Sequence, residues 1–510
     1  MSEPNVRPAQ NHLPALLFLS HPLTGHLTPT LRVAASLCNS GFPTFFLGPT
    51  VHKARIIAAA GAPVPTLTFI AAGRNSGERH EQGVGAEQGV DVDERKDNRK
   101  EKGITFLPLL DSANLDDLTY YSPDSPDPPT PDYFSLPWQQ RGLIDLEKTW
   151  IDTIPDEWRS VVAAFREVHE REPGREVIVV CEALFFGIMP MFYGAALPAG
   201  MKSTRTIALS VTVPFIRSAD VPAFFVGGEE EEDDKKRGRK TWERCTRGLK
   251  EKMEEKLRVA GAVLKGGMEG ALLSGQNYTC HDVILQLGAP GWFYPRGDWP
   301  ENFRFVGVLP PAEEPSSGWA NLPAWWDEVR SAKQKGKKVV VVAQGTVEVD
   351  PNDLILPTLK AMAGRVEDLL VVAILGRKGA TLPRDSSSPT NARVTDYLHY
   401  DAVLPYASAW VHNGGYGAVQ HGIAHGVPMV VAGEGMDKVE NAKRIERCGV
   451  GLNLGPPGPS VEDVKKAIDM VLDDERYQHV AVSLRSQSTE LDCFGAVRDE
   501  VLKLAGRGGN

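Results

Sequence analysis

The sequence predicts an α/β protein of two domains, and three observations carry that prediction. At 510 residues the chain exceeds the roughly 250–300 residues at which a single core stops growing, so two domains with a cleft between them are expected. Its start reads as a βαβ unit, with Leu16 to Leu19 a strand, HPLTGH a loop, Leu27 to Asn39 a helix ended by Gly41, and Phe42 to Leu47 the next strand. The stretch VHNGGYGAVQHGIAHGVPMVVAGEGMDKVENA, from Val411 to Ala442, packs a glycine turn, two helices and a buried strand into one run.

That glycine turn is the most informative feature. Trp410 and Val411 end a short apolar strand, and His412, Asn413, Gly414, Gly415, Tyr416 and Gly417 turn into a helix beginning near Ala418. Such a turn aims free backbone N–H groups at an anion, and the helix dipole adds about half a positive charge. Val427 to Ala432 then reads as a buried parallel strand, with Asp437, Lys438 and Asn441 at the entry of another helix.

Composition narrows the function classes. A hydrophobic fraction of 42% and a charged fraction of 24% are ordinary for a soluble globular protein, and a net charge of −10 argues against general nucleic-acid binding. The polar start MSEPNVRPAQNH and a short apolar run without a basic flank predict no signal peptide, and no window approaches the ~20 apolar residues of a spanning helix. Cys38, Cys181, Cys245, Cys280, Cys448 and Cys493 are scattered without a C-x-x-C, as expected of reduced thiols in a cytoplasmic protein.

Along the chain, residues 73–103 are rich in Gly, Glu, Gln, Asp and Arg and are expected to be a flexible insertion, because they cannot bury enough surface to offset ordering entropy. SPDSPDPPTPD at 122–132 predicts an extended loop, followed by helix from Trp138 to about His169 and strands at Val177 to Cys181 and Thr206 to Val213. GGEEEEDDKKRGRK at 227–240 reads as a solvated loop before a helix from Thr241 to Val263. Phe303 to Val308 reads as a strand, LPPAEEPSSG as a hinge, Lys338 to Ala343 as the first strand of a second domain, Asn352 as the approximate start of a helix, and Leu369 to Leu375 as a further strand.

An ordered series of motifs, DYLHY at 396–400, LPYASAWVHNGG at 404–415, HGVP at 425–428 and DKVENA at 437–442, is similar to the donor-binding signature of the UDP-glycosyltransferases. The resemblance implies two Rossmann-like domains facing across a cleft, the GT-B arrangement. An acceptor-binding domain would span 1–310 and a nucleotide-sugar-binding domain 311–510, with a final helix, about Gln478 to Leu504, crossing back to brace the first. The glycine-rich turn, in place of the H-C-G-W-N-S of plant members, is closer to bacterial and fungal members.

Glycosyl transfer to a hydroxyl needs a base, and histidine suits the task. His26 lies in the first strand-to-helix loop, where ligands bind in open α/β folds, and the helix start should keep its ring neutral. The bland alternative is a surface or helix-capping histidine. GHLTP at 25–29 matches the family's G-H-x-x-P, whose histidine is the base. Glu182 stands where the family's acid, normally aspartate, orients that base; it also reads as a helix N-terminal carboxylate. His21 and Ser210 are expected on the acceptor side of the cleft.

For the donor, the resemblance implies Gly345 and Thr346 near the phosphates, Tyr397 stacked on the base and the Leu398 backbone reading its edge. His412 and the N–H groups of Gly415, Tyr416 and Gly417 would meet the diphosphate, Gln420 the ribose, and Asp437 with Lys438 the sugar, where the family has a D-Q pair. Lys438 either pairs with a neighbouring carboxylate or favours a sugar bearing one. His421 and His425 have the i, i+4 spacing of a zinc pair, but no H-E-x-x-H accompanies them and Gly422 and Gly426 are expected to interrupt the helix, so no metal is expected.

The implied function is an inverting, metal-independent transferase with no cofactor beyond its co-substrate. It would move a hexose, with UDP-glucose the leading donor, to a hydroxyl of a lipophilic small molecule such as a phenolic, terpenoid, sterol or polyketide. A nucleotide-sugar epimerase of the same architecture, a dinucleotide-dependent oxidoreductase and a non-catalytic nucleotide-sugar sensor are the rivals.

Overall fold

Two all-parallel sheets organise the protein, and their central strands are nearly unbroken apolar runs because helices cover both faces. The computed structural model describes residues 13–60, 103–121, 125, 128–198, 201, 204–221, 232–270, 272–314, 319, 322–345, 350–384 and 388–506. The first sheet holds β1 (Ala15–Leu19), β2 (Thr44–Gly48), β3 (Ile104–Pro108), β4 (Val177–Glu182), β5 (Arg205–Ser210), β6 (Val283–Leu287) and β7 (Phe303–Gly307), in the order β3-β2-β1-β4-β5-β6-β7. The second holds β8 (Lys338–Ala343), β9 (Leu369–Ile374), β10 (Ala392–Thr395), β11 (Ala409–His412), β12 (Met429–Val431) and β13 (Gly451–Asn453), in the order β10-β9-β8-β11-β12-β13.

Seven of the helices bear on the site: α1 (Thr24–Asn39), α2 (Ile154–Arg171), α3 (Tyr400–Val403), α4 (Tyr416–His425), α5 (Lys438–Cys448), α6 (Glu475–Leu491) and α7 (Cys493–Leu504). In each sheet the chain winds outward in both directions from its first strand, so β1 lies between β2 and β4, and β8 between β9 and β11. A crevice opens at the carboxyl ends of the strands where the winding reverses, and ligands of open α/β sheets bind there.

Several expected boundaries moved, each for a physical reason. Helix α1 starts at Thr24, three residues early, because Asp117 accepts hydrogen bonds from the Thr24 N–H (2.7 Å) and hydroxyl (3.1 Å) and so caps the helix from ninety-three residues away. The helix expected from Trp138 breaks into Trp138–Asp145, a π-helical turn Leu146–Ile151, and α2. The helix expected from Thr241 begins at Glu232 and is two, Glu232–Cys245 and Arg247–Val259. Gly422 does not interrupt α4, since it lies inside the helix against Met429 and Trp410. Nearly all of the expected 73–103 insertion lies outside the described residues.

The C-terminal crossing is made by two helices rather than one, bent at Asp492, whose φ is 46°. Ser488 of α6 accepts a hydrogen bond from the Val308 N–H (2.7 Å) and Gln487 one from the Gly291 N–H (3.0 Å). Cys493, Val497 and Val501 of α7 are then buried in one core with Leu27 and Leu31 of α1. Among the described residues no helix is long and apolar enough to cross a membrane.

Candidate active site

His26 occupies the first turn of α1, at the β1/β4 crevice, rather than a loop. Its Nδ1 lies 3.2 Å from Oε1 of Glu182, which is the last residue of β4 and fully buried. That oxygen also accepts the Leu184 N–H at 3.0 Å, which fixes the carboxylate at the end of the strand. The extra methylene of glutamate therefore does not prevent contact with the ring. Burial alone would lower the His26 pKa, but the Glu182 carboxylate, with Asp437 and Asp117 further off, outweighs it and raises the pKa above 6.5. The helix start, expected to disfavour the imidazolium, is thus opposed by a carboxylate in contact with the ring.

His21 does not line a cleft. It is fully buried, its Nε2 donates to the Thr149 carbonyl (2.9 Å), and its ring stacks on Trp150 with centroids 4.7 Å apart. Burial, with His26 nearby, pushes its pKa down to about 3, so the ring is a fixed neutral support 5.7 Å from that of His26. The π-helical turn supplies both Thr149 and Trp150. Ser210 is likewise fully buried, its hydroxyl donating to the Thr212 carbonyl at 3.2 Å. Both residues expected on the acceptor side thus build the floor of the crevice. Tyr121, Trp150, Leu184 and Phe186 form an apolar cluster with Leu23, three residues before His26.

At the second crevice, β11 ends at His412 and the chain turns through Asn413 and Gly414 into α4, with Gly415 at its N-cap. Gly414 has φ +84°, a conformation L side chains rarely adopt. The Gly414 N–H donates to His412 Nδ1 (3.0 Å), so the ring proton of neutral His412 sits on Nε2. Burial lowers its pKa to about 3, and Nε2 is buried with no hydrogen-bond partner among the described residues. A buried donor without a partner is costly unless a ligand accepts from it. Both amide atoms of Gln420, one turn into α4, are in the same condition.

The turn is braced by residues not expected in that role from sequence. Asn413 Nδ2 donates to the Gln344 carbonyl at 2.5 Å, and fully buried Asn441 donates to the Gly414 carbonyl at 2.8 Å. Asn441 stood inside DKVENA and was visible as a helix-entry residue. Asp117 gave no signal, since its partner is remote in sequence. A Cβ on Gly433 would lie 2.1 Å from the Asn413 carbonyl oxygen. Gly433→Ala should therefore displace the turn, with a lower melting temperature, by about 1–3 kcal/mol of stability, and weaker UDP binding; unchanged melting and binding would show the turn yields freely.

The remaining expected residues divide. Gly345 follows β8 with φ +86°, beside Gln344, while Thr346 lies outside the described residues. Tyr397 is half-buried with its ring edge-on to His399 at 5.3 Å, and Leu398 is buried. The Tyr416 side chain leaves the turn altogether: its hydroxyl donates to the Leu287 carbonyl and accepts from Gln286 Nε2 (3.0 Å), tying α4 to β6. Gly417 is exposed in the first turn of α4. Asp437, at the N-cap of α5, accepts from the Thr212 hydroxyl (3.2 Å), and the Lys438 backbone lies against Gly414. The two crevices therefore meet, with Asp437 from one side close enough to His26 on the other to raise its pKa.

A depression of about 880 Å³, open to solvent, is lined by Val213, Phe215, Trp242, Tyr294, Arg296 and Trp299 among others, and by neither His26 nor His412.

Two facing doubly wound domains with a histidine–carboxylate pair opposite a glycine turn define a glycosyltransferase of the GT-B class. The solved structure of the glycotransferase of kitacinnamycin shares this fold, with a TM-score of 0.63 at 16% identity over 97% of this chain and 100% of that one. So does glycosyltransferase VinC in complex with dTDP, with a TM-score of 0.56 at 16% identity over 97% and 100%. The family model of the erythromycin biosynthesis protein CIII-like C-terminal domain matches residues 358–499. UDP-glucosyltransferase 1 of Beauveria bassiana (strain ARSEF 2860) is 36% identical over 497 residues, 96% of this chain and 95% of its own length. UDP-glucosyltransferase A1 of Starmerella bombicola is 30% identical over 501 residues, 97% of this chain and 93% of its own. The chain belongs to the UDP-glycosyltransferase family and is an enzyme that uses a UDP-sugar donor and a small-molecule acceptor.

Proposed function

We propose that the protein moves glucose from UDP-glucose, with inversion and without a metal or further cofactor in the step, to a hydroxyl of a lipophilic small molecule. The observation that carries this reading is the His26–Glu182 contact at 3.2 Å, placed opposite the 412–417 turn. His26 Nε2 takes the acceptor proton as the acceptor oxygen bonds to the anomeric carbon, and the bond from that carbon to UDP breaks. Glu182, on Nδ1, holds the ring and stabilises the imidazolium that forms.

UDP leaves with the bonding electron pair, and the developing charge meets the Nε2–H of His412 and the N–H groups at the start of α4. Tyr397 stacks on uracil, Gln420 holds the ribose, and Asp437 with Lys438 holds the sugar. The apolar cluster around Trp150 and Tyr121 supports an acceptor such as a phenolic, terpenoid, sterol or polyketide. Six free cysteines suit a cytoplasmic setting. An epimerase or a sensor would leave the histidine–carboxylate pair without a task.

Calorimetric titration with UDP, UDP-glucose, UDP-glucuronate, UDP-N-acetylglucosamine, dTDP-glucose and NAD tests the donor. Selective binding of UDP and UDP-glucose is expected. A preference for UDP-glucuronate would assign Lys438 to a sugar carboxylate, and NAD binding without UDP binding would overturn the reading.

A further inference from the structure

Among the described residues one group brings three metal-ligating atoms together. His421 and His425 are one turn apart on α4, so both rings leave the same face of the helix. Asp401 of α3 meets them: its Oδ1 is 2.8 Å from His421 Nδ1 and 2.9 Å from His425 Nε2, and the three atoms all lie within 4.8 Å of one another. The Asp401 and His425 side chains are 7% exposed and His421 31%, so the group is open to solvent on the His421 side.

We propose that Asp401, His421 and His425 form a binding site for a zinc-like divalent transition-metal ion that braces the donor-binding domain and takes no part in transfer. Two imidazole nitrogens and one carboxylate oxygen are a donor set that zinc favours, and the exposed side leaves room for water as a fourth ligand. Zinc bonds of about 2.0–2.2 Å would spread these atoms by roughly half an ångström from their present contacts. In the metal-free state His421 Nδ1 and His425 Nε2 each hydrogen-bond to Oδ1, so an entering ion needs each ring's proton on its other nitrogen, which a neutral imidazole reaches by tautomerisation.

The surroundings suit the site. The Ala312 N–H donates to Asp401 Oδ2 at 2.9 Å, which orients the carboxylate and leaves Oδ1 for the ion. Tyr400 sits edge-on to His421 at 5.4 Å. Arg32 is near enough to Asp401 for their charges to interact, which disfavours ions held mainly by negative charge, such as calcium or magnesium. His399 also senses Asp401 and His421. A bound ion would fix three pieces together: the 397–401 segment, the helix that begins at the glycine turn, and through Ala312 the segment joining the two sheets.

The experiment uses the untagged full chain, stripped with a chelator and titrated with Zn²⁺ by calorimetry and with Co²⁺ by visible absorption. One equivalent should bind, and the melting temperature should rise with free metal concentration. His421→Ala, at the most exposed ligand, should remain folded by circular dichroism yet lose more affinity than the roughly 10–100-fold that outer partners cost. Asp401→Asn, which keeps the side-chain shape, should also bind less tightly. Absence of a stoichiometric ion in the wild-type chain, or equal binding by His421→Ala, would overturn the site and leave a hydrogen-bonded cluster only. Since the readout is metal binding, the outcome is independent of the donor and acceptor assignments.

Discussion

His26→Ala should lower kcat by about 10²–10⁴-fold while leaving UDP binding nearly unchanged, because the ring lies on the acceptor side and its removal takes away the base without touching the 412–417 turn. Normal turnover would remove His26 from that role. The pH profile separates base from scaffold. The working form is the neutral ring, and its pKa is raised above 6.5, since burial, which lowers it, is outweighed by Glu182. The rate should therefore fall as pH drops through that raised value. Glu182→Gln keeps the shape but removes the charge, so burial prevails and the acid limb should move to lower pH while the plateau falls. An acid limb that does not move would show that Glu182 does not act through His26.

The same proton carries a stability term. A folded-state pKa raised above the unfolded value gives stability that is fully present below about pH 6.5 and is lost as pH rises through the raised pKa. Unfolding of the wild-type chain and of Glu182→Gln, compared across that window, should converge at its alkaline end.

His412→Ala should weaken UDP binding by roughly 10–150-fold, the equivalent of the about 1.5–3 kcal/mol that a hydrogen bond to a charged group contributes. Its Nε2–H is buried and has no partner among the described residues, so the proton is available to a diphosphate oxygen. Uridine lacks the diphosphate and should bind the variant and the wild-type chain alike. Equal losses for uridine and UDP would mean that the turn itself had moved, since the Gly414 N–H loses its acceptor on Nδ1. Unchanged UDP affinity would end the phosphate role of His412.

How much of this was legible in the sequence depends on the range of the forces involved. The strands at Ala15–Leu19, Lys338–Ala343 and Leu369–Ile374 could be read because each is a continuous apolar run, and hydrophobic patterning is local. The glycine turn was legible for the same reason, since a positive φ at Gly414 and a following helix are properties of a few adjacent residues. His26 and Glu182 could be named because GHLTP and the residue after VIVVC match the family's pattern, each in a short segment near the end of its own strand, while the adjacency of β1 and β4 is what brings them together.

What only the tertiary structure decided depends on partners remote in the chain. Asp117 sets the start of α1 from ninety-three residues away, which moves His26 from a loop into a helix. Whether His21 faces a cleft or supports the floor turns on the Thr149 carbonyl, one hundred and twenty-eight residues distant, and on the indole beside it. The two histidines of α4 were visible as a pair, but their carboxylate lies on a different helix, so spacing alone pointed to no metal. Sequence determined the class of fold and pointed to the candidate residues of each crevice, because those rest on local pattern. Long-range packing decided which polar atoms are satisfied and which are left without a partner among the described residues, because a buried hydrogen bond is set by whatever the fold brings within 3 Å or so of it.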